Sequence, residues 1–267
     1  MPRIIDEPVP GRRQALLGLA AATTGAALLA SGRPASAEAA TGREPASRTL
    51  HALMAQLAKA PRRRDFKTVP MVLDDSGLWD AAALDAVIAY RGSRKQVWDN
   101  TEIGSPWMNL MRNSLNAQVF SFRHPDFLAV SATHGSAHFA LYDQAMWDKY
   151  QLATMAGPDF KTNTLIVAKD GDGDGDASAH ESPKSLFGAA GNTIPTLQKR
   201  GIVFMACHNA IWEQTGKLQE KGINPGKLSH EAMAAELTNH LIEGVVLTPG
   251  IVGTIPELEH AGFGYVK

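Results

Sequence analysis

One cysteine, Cys207, is all the thiol chemistry available to this 267-residue chain. A disulfide within the chain is therefore excluded, which leaves a buried thiol, a reactive thiol or a bridge between chains. Charge of one sign is also lacking. A net charge of -1 gives no electrostatic case for nucleic acid as a partner. No phosphate loop or dinucleotide fingerprint is present, and Ser136, which follows His134-Gly135, lacks the G-x-S-x-G frame of a hydrolase elbow. There is no repeat of fixed period. The apolar run from Ala15 to Ala30 is 16 residues. That is short of the ~20 that span a bilayer, so no permanent membrane anchor is expected.

What the N-terminus does contain is an export pattern. Arg12 and Arg13 precede that apolar run, which ends near Ala35-Ser36-Ala37, pointing to a twin-arginine signal cleaved after Ala37 and to a periplasmic or otherwise extracytoplasmic destination. Removing residues 1–37 leaves 22 basic against 25 acidic residues. Residues 38–93 read as a polar linker and a helical extension. Ser47 is placed to cap a helix carrying Leu50, Leu53, Met54 and Leu57, and Asp75 or Ser76 to start one carrying Leu78, Leu84, Val87 and Ile88. The run Arg62-Arg63-Arg64 between them reads as a solvated face or a dock for carboxylates.

From Arg94 to Lys267 strands alternate with helices, the signature of βαβ units. The expectation is an α/β fold: a three-layer sandwich with a mostly parallel sheet of about five strands flanked by helices. The strands fall at Lys95–Asn100, Phe127–Thr133, Ile202–Ala206, Val245–Thr248 and Phe263–Val266, with Leu165–Ala168 as a further candidate. Helices are expected near Pro106–Phe120, Ala137–Tyr150, Ser185–Arg200, Ala210–Lys221, His230–Ile242 and Ile251–His260. Pro256 predicts that the last starts late or is kinked. The five tryptophans are scattered and read as core.

The stretch Gly201–Glu213, GIVFMACHNAIWE, concentrates the candidate chemistry. A buried strand stops at Cys207, and a helix follows with Asn209 as its expected N-cap. A strand's carboxyl end meeting a helix's amino end is where open α/β sheets bind ligands and where free N–H groups favour an anion. A thiolate is such an anion. His208 or His134 would then be the acid-base or electrostatic partner of Cys207, and Asn209 would orient backbone or ligand. A packing thiol is the competing reading.

Two metal patterns stand beside it. In KDGDGDGDASAHESP, Asp170, Asp172, Asp174 and Glu181 match a calcium-loop spacing with Asp176 between, although an acidic surface loop explains the same residues. His134 and His138, four apart, could join Cys207 as ligands for zinc or copper; alternatively they end a strand and begin a helix.

GIVFMACHNAI, AVSATHG and GVVLTPGIVGTIPELEHAGFGYVK resemble, in order and spacing, segments of the DsrE/DsrF-like family of sulfur-relay α/β proteins. The resemblance spans about Arg94 to Lys267. It implies a layered α/β fold, assembly into trimers or hexamers, and a persulfide-carrying cysteine that maps onto Cys207. The implied partners are a small sulfur-containing donor or acceptor and further copies of the chain, a trimer being favoured. The export signal, the extension to Arg94 and the acidic insert are departures from that pattern. A non-catalytic oligomeric module holding a small ligand or metal at the strand ends is the alternative.

Overall fold

Short apolar runs that alternate side chains between two covered faces make the centre of the molecule a parallel sheet. The computed structural model describes residues 45–167, 181–185 and 191–267. The expected signal segment and Asp170, Asp172, Asp174 and Asp176 lie outside the described residues. Five strands, β1 (Lys95–Asn100), β2 (Leu128–Thr133), β3 (Val203–Cys207), β4 (Val246–Thr248) and β5 (Gly264–Val266), pair in the order β4-β3-β2-β1-β5. All four pairings are parallel. The expected strand positions agree with these to within one residue at each end.

Among the described residues the α-helices are α1 (Pro45–Lys59), α2 (Ala81–Ile88), α3 (Trp107–Asn116), α4 (Gln144–Lys149), α5 (Ala153–Ala156), α6 (Ile194–Lys199), α7 (His208–Glu220), α8 (His230–Asn239) and α9 (Ile251–His260). They sort onto two faces. Trp98, Ala129, Phe204 and Leu247 of the sheet join Met111 of α3, Trp147 of α4, Ile194 of α6, Ile211 of α7 and Met233 of α8 in one core. Val97, Val130, Met205 and Val246 join Leu53 of α1, Val87 of α2 and Leu258 of α9 in the other. Neighbours along each strand thus serve opposite cores, as a period of two requires.

Residues 45–93 belong to this sandwich, since Gly42–Lys267 is one compact unit. They supply two of the helices on the second face. Their attachment centres on Asp80, which is 3% exposed. Asp80 pairs with the outer edge of β4: its N–H donates to Leu247 O (3.0 Å) and its Oδ2 accepts from Leu247 N (2.7 Å). Arg64 donates to both carboxylate oxygens at 3.1 and 2.8 Å and to Val245 O at 3.2 Å, with Arg62 Nε 3.7 Å away. The arginine run is therefore a carboxylate dock, and an edge that would otherwise invite pairing is covered.

Three expectations are corrected. Leu165–Ala168 is not a strand where it is described: Thr164–Ile166 is a 3₁₀ turn. The buried Asn163 draws the chain into it by accepting from Leu165 N while donating to Ala140 O and Tyr142 O. The helix expected over Ala137–Tyr150 divides into a 3₁₀ stretch, Gly135–Leu141, and α4, because Tyr142 bridges to Leu241 and Asp143 caps a new helix through Met146 N. Finally, of the two outcomes expected of Pro256, the late start is not found: α9 begins at Ile251 with Pro256 inside it.

Removing the Asp80 carboxylate leaves two partly buried guanidiniums and an edge N–H without their acceptor. We expect Asp80→Ala to cost about 3 kcal/mol, near the low end for breaking a buried ion pair because both arginines retain some solvent. Urea unfolding should show a lower midpoint.

Candidate functional site

The three carboxyl ends of β1, β2 and β3 place the candidate residues, and the pleat decides which way each faces. Val203, Met205 and Cys207 share the core of α1, α2 and α9, whereas Phe204 and Ala206 face the opposite core. Cys207 itself, not Asn209, is the N-cap of α7: its backbone is extended and its sulfur accepts from Ala210 N at 3.4 Å. The expected cap fails because the helix starts directly after the strand, leaving Asn209 exposed in the first turn. The Asn209 amide lies against Gly250, where an added Cβ would sit 2.8 Å from Nδ2.

The same sulfur accepts a second backbone donor, Ile251 N, at 3.3 Å. Ile251 opens α9, so two helix N-termini converge on one atom. Such N–H groups favour an anion. Burial acts the other way and is the stronger influence: it pushes the thiol up from its ordinary value, while the N–H groups of Ile251, Ala210 and Asn209 pull it partly back and the charge of Glu213 adds to the rise. At neutral pH the sulfur is a thiol, 4% exposed, in a cradle already shaped for a negative charge.

His134 ends the adjacent strand. Thr133 pairs with Ala206, so one step further His134 and Cys207 leave neighbouring strands side by side. The imidazole is turned to β1, its Nε2 2.6 Å from Asp99 Oδ1. Asp99 Oδ2 accepts from Tyr265 Oη at 2.6 Å, with Lys267 Nζ at 3.8 Å. Burial alone would raise the Asp99 carboxyl, but donation from Tyr265 and His134 and the Lys267 charge hold it below its ordinary value. The turn after His134 needs glycine: Gly135 has φ +56°, and a Cβ there would lie 2.5 Å from Thr101 O. Ser136 is a backbone partner, its Oγ accepting from Ile103 N.

His208 follows Cys207 and therefore faces away from it. Its Nε2 meets Pro70 O at 2.8 Å and its ring lies near Trp212, which stacks on His230. Burial lowers its pKa, opposed by the carbonyls of Pro70 and Met71. Cys207 and His134 thus leave adjacent strands, with the His134 ring engaged by Asp99 and the His208 ring by Pro70 O. His138 is completely buried, edge-on to Tyr142, with neither ring nitrogen hydrogen-bonded. Burial, with the nearby His134 and His208, brings it down to about 3. Tyr142 Oη donates to Gln214, whose Nε2 donates to Gly135 O, tying α7 to the turn after His134.

Among the described residues no three His, Cys, Asp or Glu side chains are gathered to hold a metal ion, so His134, His138 and Cys207 do not form a ligand set. Glu181, the described member of the acidic pattern, pairs with His51 at 3.4 Å. Also among the described residues, no helix is long and apolar enough to cross a membrane. Asp99, Tyr265 and the Ile251 N–H were not legible as site components. Only the position of Asp99 at the end of an expected strand pointed toward it.

No family model, curated protein or solved structure matches this chain. The site has to be read from its own geometry.

That geometry fixes a pH dependence. His138 is held near 3 in the fold, against about 6.5 when unfolded. Between those values the unfolded chain binds the extra proton, so the stabilising effect of a neutral His138 is complete above pH ~6.5 and lost as pH falls toward ~3. Replacing His138 with Phe should flatten this acid loss in thermal melts taken across that range. An unchanged acid slope would refute the assignment.

Proposed function

We propose that the protein is an exported, single-cysteine sulfur carrier, of the kind suggested by its resemblance to the DsrE/DsrF-like family, with Cys207 as the acceptor. The observation that carries the reading is the convergence of two helix N-termini on the Cys207 sulfur. In the forward step the Cys207 thiolate attacks the outer sulfur of a persulfide donor, R–S–S⁻. A new S–S bond forms, the donor's S–S bond breaks, and R–S⁻ leaves with the electron pair. No oxidant is needed. The product Cys207–S–S⁻ is an anion, and the backbone donors of α7 and α9 suit it. His134, held by Asp99 at the end of the adjacent strand, is the group we assign to take or return a proton.

The raised thiol pKa makes transfer slow at neutral pH and faster as pH rises. Iodoacetamide alkylation of Cys207 should accordingly be slower at pH 7 than that of an unstructured cysteine peptide, and should still be increasing above pH 9, the ordinary thiol value. A neutral-pH rate equal to the peptide's would show the sulfur to be more ionised than its surroundings allow. Incubation with glutathione persulfide should add one sulfur by intact mass, absent in Cys207→Ala. A folded protein that gains no sulfur at any pH up to 10 would sink the carrier reading.

A second reading, a non-catalytic binding module, is favoured by the near-complete burial of the thiol. Under that reading Cys207→Ala changes stability by packing alone. In either case assembly into a homo-oligomer, most simply a trimer, fits the partly exposed edge strand β5, whose Tyr265 is 45% exposed.

A further inference from the structure

The imidazole of His134 has one nitrogen engaged and one open. Nε2 lies 2.6 Å from Asp99 Oδ1, and an ionised carboxylate can only accept. In the neutral ring the proton is therefore on Nε2. Nδ1 is left with the lone pair, and among the described residues nothing hydrogen-bonds to it.

That assignment holds only while Asp99 keeps Oδ1 turned to the ring. The torsion that swings an aspartate carboxylate is broad and nearly two-fold, so a single bond to one oxygen does not fix it. The second bond comes from the C-terminal strand. Parallel pairing sets Tyr265 of β5 opposite Val97 of β1, on the same face as Asp99 and two residues, ~6.6 Å, short of it along the strand. A phenol ring spans that gap, which a shorter hydroxyl side chain would not, and Tyr265 Oη donates to Asp99 Oδ2 at 2.6 Å. Donation to Asp99, with slight burial and the charges of Asp99 and Glu259, pushes the phenol up to about 12, so it remains a donor throughout the neutral range. Lys267 Nζ, 3.8 Å from the same oxygen and 68% exposed, adds little.

We infer that Tyr265 is a positioning residue for His134: its hydroxyl holds Asp99 Oδ2, which keeps Oδ1 on Nε2 and leaves Nδ1 as the nitrogen that takes and returns protons. The use of that proton in sulfur transfer rests on the sulfur-carrier reading. The arrangement of the ring does not.

Two measurements on the full-length protein test it. NMR of protein labelled with nitrogen-15 at histidine reads the ring directly, His134 being identified by the resonances missing from His134→Gln. At pH 9 the parent should show a protonated Nε2 and a bare Nδ1, far apart in shift. In Tyr265→Phe the two should move toward each other as the second tautomer becomes populated. Removing only the hydroxyl of a side chain that is 45% exposed leaves the ring in place, so this variant should fold like the parent. The second measurement is the rate of sulfur uptake from glutathione persulfide. His134→Gln should slow it about a hundredfold, the low end for general acid-base catalysis, and Tyr265→Phe about tenfold, the equivalent of one charged hydrogen bond. The double variant should be no slower than His134→Gln alone, because a residue acting through His134 has nothing left to act on. A proton on Nδ1 in the parent, unmoved nitrogen resonances in Tyr265→Phe, uptake by Tyr265→Phe at the parent's rate, or additive loss in the double variant would each overturn the inference. A parent that takes up no sulfur defeats the carrier reading instead, and the ring nitrogens then decide the positioning by themselves.

Discussion

Handedness constrains this molecule more than any single contact. The chain steps β1, β2, β3, β4 across the sheet in one direction, and parallel crossovers are almost always right-handed. The described helices α3, α4, α6, α7 and α8 of those three connections accordingly fall on the same face. The other face has only the return connection to β5, which carries α9, and one ten-residue helix does not cover a five-stranded sheet. The N-terminal helices α1 and α2 close that face. This is why Leu53 and Val87 share a core with Val130 and Met205, and why a segment that reads as an extension is an integral layer.

The sequence announced the central strands well because burial on both faces leaves a compositional mark: Leu128–Thr133 and Val203–Cys207 are buried throughout and carry no charged residue. The strand Lys95–Asn100 and the helix Ile251–His260 coincide with their expected bounds. Caps and breaks were less legible. Asn209 has the chemistry of an N-cap and the correct neighbourhood, yet the position two residues earlier won because the strand delivers Cys207 in extended geometry with its sulfur over Ala210 N. Local preference lost to tertiary placement. Asp80 was not legible at all: its acceptors and donors lie at Arg64 and Leu247, the latter 167 positions away, and nothing in the local pattern distinguishes it from a surface aspartate.

Cys207 illustrates two opposing influences of one fold. Parallel strands end together, so the helices that follow β3 and β4 begin together, and their first N–H groups collect around whatever atom stands between them. That favours negative charge. The same layering that aligns the helices also withdraws the sulfur from water, which disfavours it. Burial is the larger effect on the free thiol, so the donors lower the cost of ionising the sulfur without cancelling it.

The direction of the sheet sorts charge at both ends. Helix N-termini gather at the carboxyl ends of the strands and supply donors there without a cationic side chain, as at Cys207. Helix C-termini gather at the opposite end, where exposed carbonyls favour cations. Arg62 follows α1 and donates to Leu57 O and Ala60 O at its end. Arg200 directly follows α6, but its guanidinium turns away from the carbonyls there: Nη2 donates to Asn116 Oδ1 at the end of α3 and the guanidinium lies over the Phe120 ring. One arginine thus completes the end of the helix it follows, and the other ties its helix end to the end of a neighbouring helix on the same face of the sheet.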